Sequence, residues 1–133
     1  PRSLVDKEIA HTGLSKLHIV ESMQERKLLM AEISDAFIAF PGGFGTLDEM
    51  AEMITFNQLR IHDKALGILN IKSFFDKLIK FFEHAVQEGF IRQEHIDNLI
   101  IAAEPENLIE KIKDYEPLDL DKWIKDIRKE SAV

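Results

Sequence analysis

The run Ala36-Phe37-Ile38-Ala39-Phe40 passes directly into Pro41-Gly42-Gly43-Phe44-Gly45-Thr46-Leu47-Asp48-Glu49. An apolar run that does not alternate with polar residues fits a strand buried on both faces, as in a parallel sheet. Three glycines lie within Gly42–Gly45. A helical pattern follows over 46–57, with Leu47, Met50, Ala51 and Ile54 on one stripe. Glycine permits positive φ and close approach of backbone to a ligand. The N–H groups that open the next helix carry partial positive charge and suit an anion. Thr46 adds a hydroxyl. A simple tight turn is the bland reading; a strand–glycine–helix junction favours a phosphate monoester. The spacing matches neither G-x-x-x-x-G-K-[ST] nor G-x-G-x-x-G, and no Lys follows the glycines, which disfavours a Walker-type NTPase.

Three more apolar runs are candidate strands: Leu17-His18-Ile19-Val20, Ala65-Leu66-Gly67-Ile68-Leu69 and Leu99-Ile100-Ile101-Ala102-Ala103. Helical patterns lie between them. Residues 23–33 carry Met23, Leu28, Leu29, Met30 and Ile33. Residues 73–88 place Phe74, Phe75, Leu78, Phe82, Ala85 and Val86 at helical spacing as core, with Gly89 as the stop. Glu104-Pro105 opens a helix with Leu108, Ile109 and Ile112 inward, and Pro117 ends it. Asp119 caps a last helix anchored by Trp123. Strand–helix alternation implies an α/β fold, a Rossmann-like parallel sheet flanked by helices. No linker or repeat interrupts residues 1–133, so one domain is expected. Ligands of such sheets sit beyond the carboxyl ends of the strands.

The 133 residues suit a single domain; 45% are hydrophobic and 31% charged, a globular mix. The formal net charge of −7 argues against nucleic-acid polymer as a partner. No apolar stretch is long enough to suggest a membrane span, and no signal peptide is readable, so the cytoplasm is expected. With no cysteine, a thiolate zinc site and a Cys nucleophile are excluded. The scattered histidines suggest no metal site.

Glu49 has two readings. Thr46-Leu47-Asp48-Glu49 fits a capping box, with Thr46 as N-cap and Glu49 at the third helical position. Alternatively, the carboxylate faces the phosphate pocket. Spacing leaves both open.

The stretch Pro41 to Glu49 resembles the P-G-G-x-G-T-x-x-E signature of the Lonely Guy (LOG) family, often labelled lysine decarboxylase. Met23-Gln24-Glu25-Arg26-Lys27 matches its M-x-x-R-K element. Ile54 to Lys64 is similar to its I-T-W-x-Q-L-G-x-H-x-K stretch, and Pro1 to Glu8 to its P-x-x-L-x-x-x-E segment. The resemblance implies a nucleoside 5′-monophosphate phosphoribohydrolase, an N-glycosidase that acts on AMP or an N6-modified cytokinin riboside monophosphate. It also implies a homodimer. Arg26 and Glu49 become the expected catalytic pair. Gly42, Gly43, Phe44, Gly45 and Thr46 become the phosphate loop, and Glu8, Met23, Lys27 and Thr55 further substrate contacts. No cofactor and no metal are expected. A carboxylate such as Glu49 can stabilise an oxocarbenium-like ribose; the acid that protonates the leaving base is left open between water, Arg26 and prior protonation of the base.

Phe56 stands for the family's Trp, Arg60 for its Gly and Ala65 for its Pro. Family members begin with about two more strand–helix units, including a glycine-rich first turn. The chain is therefore expected to be the C-terminal portion of the full domain, truncated at its N-terminus. Two other functions compete. A non-catalytic carrier of a nucleotide or phosphorylated cofactor would keep the loop without needing Arg26 and Glu49. A pyridoxal-phosphate decarboxylase needs a Schiff-base lysine; Lys64 follows His62-Asp63 without the usual Ser pattern and supports it poorly.

Overall fold

A computed structural model describes residues 1–5, 11 and 13–118. The expected final helix with Asp119 and Trp123, and the expected substrate contact Glu8, lie outside the described residues. The chain divides into two compact units, Pro1–Ser34 and Asp35–Val133.

The first unit holds α1 (Arg2–Val5) and α2 (Met23–Ile33). The helix expected over 23–33 forms with those bounds. Its N-cap is Ser22, whose hydroxyl accepts from Glu25 N at 3.1 Å, while Glu25 Oε2 accepts from Glu21 N at 2.7 Å. One of the amides that a helix start leaves without acceptors is thus satisfied, and the Glu25 carboxylate also holds the amide of the residue before the cap. The run Leu17–Val20 is not a strand. Among the described residues it has no ladder partner; Leu17 and Ile19 are exposed, and the Val20 carbonyl accepts from Arg2 N at 2.8 Å instead.

The second unit is a Rossmann-like α/β sheet. In chain order come β1 (Phe37–Ala39), α3 (Phe44–Gln58), β2 (Leu66–Leu69), a turn over Ile71–Ser73, α4 (Asp76–Gln87), α5 (Gln93–Asp97), β3 (Ile100–Ala102) and α6 (Pro105–Lys113). The strands lie in the order β1-β2-β3, all parallel, with Ala39 opposite Ile68 and Leu69 opposite Ala102. Central β2 is buried at every residue. β1 is less buried than a strand covered on both faces, since Ile38 is exposed.

One sheet face belongs to α6. Leu108, 1% exposed, and Ile112 pack on Leu69, Ile100 and Ala102. Gly67 lies beneath them: a Cβ there would come within 2.9 Å of Ile112 Cδ1 and 3.0 Å of Leu108 Cδ1. Pro105 opens α6 as its first residue, as expected, and the helix ends at Lys113, before Pro117. Ile109, expected inward, is exposed, because the contact stripe runs through Leu108 and Ile112 at helical spacing. Phe74 is likewise exposed and stands ahead of α4; Phe75, at 2%, is the anchor. Gly89 stops α4 with φ +78°, the left-handed conformation that favours glycine.

α3 turns Met50, Met53 and Asn57 inward, whereas Ala51 is exposed. Asn57 is the polar member of this stripe. Its Nδ2 donates to Lys64 O at 3.0 Å and to the Tyr115 hydroxyl at 3.1 Å, and its Oδ1 accepts from Asn98 Nδ2 at 3.0 Å. Asn98 Nδ2 also reaches the Tyr115 hydroxyl, at 3.0 Å. This network ties the end of α3, the end of α5 and the segment after α6 together at the amino end of the sheet. Beside it, Arg60 adopts φ 59° where the family resemblance has glycine. Its guanidinium is held by Asp63 Oδ1 at 2.8 Å and by the Leu118 carbonyl. No helix among the described residues is long and apolar enough to cross a membrane.

Gly67→Ala should destabilise the protein by about 1–3 kcal/mol through overpacking, read as a lower urea midpoint with an unchanged slope. His95 gives a pH prediction. It is 8% exposed, and its Nε2 has no hydrogen-bond partner among the described residues. Burial lowers its pKa, opposed by Glu94 and assisted by Arg92 and Arg60. His62, packed between Phe37 and Phe56, shifts the same way through burial and Lys64. The unfolded chain therefore takes up these protons first. Stability from both groups is present above about pH 6.5 and is lost as pH falls below it. His95→Gln should flatten the stability–pH curve between pH 7 and 5 in urea titrations.

Candidate active site

β1 delivers the chain at its carboxyl end to Phe40-Pro41-Gly42-Gly43, and α3 starts at Phe44. The N-cap of α3 is Gly43, which supplies no side-chain cap. The first helical bond runs from Leu47 N to Gly43 O at 3.1 Å. Thr46 is thus the third residue of the helix. The capping box of Thr46 and Glu49 does not form as expected. The helix starts at Phe44 instead, and the Thr46 side chain lies beside Gly42, where a built Cβ would overlap Thr46 Oγ1 and lie 3.0 Å from its Cβ.

The amides of Phe44, Gly45 and Thr46 precede the first helical bond and find no acceptor within the helix. Phe40 through Gly45 are all exposed, Phe44 at 91%. None of the three loop glycines takes positive φ, contrary to the usual reason for glycine in a tight bend. Gly42 is explained by Thr46. Gly43 and Gly45 have open space where a Cβ would stand, with no atom within 4 Å. Gly45 inside a helix costs about 1 kcal/mol relative to Ala, and no described contact requires it. A helix start with unused donors and clear space beside two glycines can accept a phosphate.

Glu49 is half-buried in the second turn, about 4.5 Å along the axis beyond Thr46. Loop and carboxylate are therefore brought onto one end of α3. Thr55 is not: it lies about 14 Å along the axis from Thr46, exposed, with its hydroxyl donating to Ala51 O at 2.8 Å. Lys64 precedes β2, at the amino end of the sheet, opposite the glycine loop. Met23 is the exposed first residue of α2, and Arg26 and Lys27 are half-buried in its first turns. These three belong to the first unit, whereas Gly42 to Thr46, Glu49 and Thr55 belong to the second. Among the described residues no three His, Asp or Glu side chains are grouped to hold a metal.

Sequence reasoning pointed to the loop after β2 but named no residue in it. There Asn70 Oδ1 accepts from Phe75 N at 2.7 Å and its Nδ2 donates to Asp76 Oδ1 at 2.8 Å. The available signal was the Asn itself, placed at a strand end, where its side chain commonly bonds the following backbone.

A parallel sheet flanked by helices, with an uncapped helix start at the carboxyl end of a strand, defines a Rossmann-like α/β protein. Comparison with known proteins narrows this class. A family model described as possible lysine decarboxylase matches residues 1–112. The chain is 44% identical over 117 residues to the probable cytokinin riboside 5′-monophosphate phosphoribohydrolase LOGL2 of Oryza sativa subsp. japonica, covering 88% of this chain and 48% of that protein. It is 42% identical over 117 residues to the cytokinin riboside 5′-monophosphate phosphoribohydrolase LOG1 of Arabidopsis thaliana, covering 88% and 55%. The chain spans about half the length of the curated relatives it matches. It belongs to the Lonely Guy family.

Gly45→Ala separates folding from binding at this loop. It should raise stability by about 0.5–1 kcal/mol, seen as a higher melting temperature, and weaken ribose 5-phosphate binding, seen by calorimetry.

Proposed function

We infer that the protein hydrolyses the N-glycosidic bond of a nucleoside 5′-monophosphate, AMP or an N6-modified cytokinin riboside monophosphate, to free base and ribose 5-phosphate. The observation that carries this reading is the open start of α3, with its unused amides and Glu49 one turn further on. The activity for which the relatives are named, cytokinin riboside 5′-monophosphate phosphoribohydrolase, supports it.

In this reading the amides of Gly43, Phe44, Gly45 and Thr46 hold the 5′-phosphate, and the Thr46 hydroxyl assists. Binding energy from that remote group is then used at the anomeric carbon. The bond from the ribose carbon to the base nitrogen breaks, and its electron pair leaves with the base. Positive charge builds on the ribose, where the Glu49 carboxylate stabilises it. Water adds its oxygen to the anomeric carbon, and the proton it loses balances the one gained by the base. Arg26 binds the substrate through its planar fork, and Glu8, Met23 and Lys27 are further substrate contacts; Thr55, about 14 Å along α3 from Thr46, would touch only a part of the substrate remote from the phosphate. No cofactor or metal enters the reaction. The protein acts as a homodimer in the cytoplasm, with neither membrane nor nucleic-acid polymer as a partner; its net charge of −7 agrees with the absence of the polymer.

The decarboxylase label fits the second unit poorly. An aldimine requires a desolvated lysine facing the group that holds the cofactor phosphate. Lys64 stands at the opposite end of the sheet, and Lys72 is in open solvent.

Chromatography of a panel of nucleoside monophosphates incubated with the protein should reveal free base. Glu49→Gln should lower base release by about 100-fold or more and leave ribose 5-phosphate affinity within about threefold, since the loop amides are untouched. Full turnover in that variant would refute the role given to Glu49. Absence of base from every nucleotide would refute the activity.

A further inference from the structure

The loop after β2 carries two consecutive side-chain residues in the left-handed region, Lys72 at φ 50°, ψ 35° and Ser73 at φ 59°. That region disfavours any residue with a Cβ. The conformation is nevertheless held from several sides. Asn70 N donates to Ala102 O at 2.8 Å, so the sheet grips the start of the loop. The Asn70 side chain binds Phe75 N and Asp76, Phe74 N donates to Ile71 O at 3.1 Å, and buried Phe75 anchors the far end. The outcome is a fixed loop that presents Lys72 to solvent.

Its place is set by the ladder. Ala39 and Ile68 are paired in parallel register. Gly43 lies four residues beyond Ala39, and Lys72 lies four residues beyond Ile68. Both loops leave the same end of neighbouring strands, and the ammonium of Lys72 stands on a long, flexible four-carbon stem. Lys72 has no hydrogen bond or ion pair among the described residues, whereas the nearby Asp76 is engaged by Asn70.

We propose that Lys72 is a second anion contact of the glycine-loop site, which selects ligands carrying a phosphate monoester over the same ligands without it. The proposal rests on the glycine-loop reading above and adds a residue from a different strand. The loop amides supply fixed dipoles, and Lys72 adds a formal charge from the neighbouring loop. The strain at Lys72 is explained as well: glycine would be easier for the backbone but would remove the ammonium.

Ribose 5-phosphate, inorganic phosphate and adenosine are the probes, titrated by calorimetry into the protein and its variants. Lys72→Gln should weaken ribose 5-phosphate and phosphate about tenfold, the scale of one charge-assisted hydrogen bond. It should leave adenosine unchanged and flatten the salt dependence. Lys72→Arg should stay within about threefold of the parent, since the charge is kept. Lys72→Gly should bind as weakly as Lys72→Gln yet melt a few degrees higher, because the left-handed strain is relieved. Equal ribose 5-phosphate affinity in the parent and Lys72→Gln would overturn the role of Lys72 and leave the glycine-loop site standing. Equal loss of adenosine and ribose 5-phosphate would also overturn it, by pointing to a structural role. A parent that binds neither phosphate probe would overturn the loop reading and this proposal together.

Discussion

The second unit is organised by one constraint: β1 pairs in parallel with β2, and the chain must leave β1 at the sheet's carboxyl end. A parallel neighbour requires a crossover, so a helix must start where the strand stops. α3 starts there with Gly43 as its cap and no side chain to absorb its first amides. The other long helices of this unit are ordinary in comparison. α6 begins with Pro105, which has no amide to satisfy, and α4 begins with Asp76, whose carboxylate lies in the first turn. The start of α3 is where the fold leaves donors for something other than itself.

Much of the architecture was legible because its signals are local. Met23–Ile33 was readable from its charges and apolar spacing, the end of α4 from Gly89, and the start of α6 from Glu104-Pro105. The misreadings share a different origin. Leu17–Val20 has the composition of a strand, but a strand exists only by pairing, and no residue in the run encodes a partner. Thr46 has the chemistry of a cap, but the helix begins earlier, with Gly43 as its cap, and the Thr46 side chain lies beside Gly42. Ala51, Ile109 and Phe74 are apolar and near a helical stripe, yet the packing partner decides which side of the stripe is covered. At the site, the short span from Thr46 to Glu49 is fixed by helix geometry and could be read in advance. The Asn70–Ser73 loop could not, because its conformation depends on Asn70 bonding forward to Phe75 and back to β3.

Two chemistries have been attached to this family, and the two ends of the sheet offer them different groups. In a parallel sheet the two ends are not equivalent: one receives helices, the other starts them. Lys64 belongs to the receiving end, where Asn57, Asn98 and Tyr115 consume the polar groups in a closed network. A phosphate at the glycine loop and a lysine at that end are separated by the full length of β2, about 13 Å at strand rise. A carboxylate one helical turn from the phosphate, in contrast, suits a substrate whose reacting carbon is on the sugar that bears that phosphate.

The same polarity separates stability from chemistry. At the amino end, a residue in a strained conformation is repaid locally: Arg60 takes a left-handed φ and gains Asp63 and the Leu118 carbonyl. At the carboxyl end, comparable sacrifices bring no described contact. Gly45 weakens a helix beside empty space, and Lys72 holds a disfavoured backbone while its ammonium faces solvent. Strain that the surrounding structure maintains without local return tends to gather at functional sites. Here it lies at Lys72 and Ser73, at the end of the sheet where α3 leaves its amides unused. A bound phosphate would meet dipoles from the start of α3 and a charge from the loop after β2.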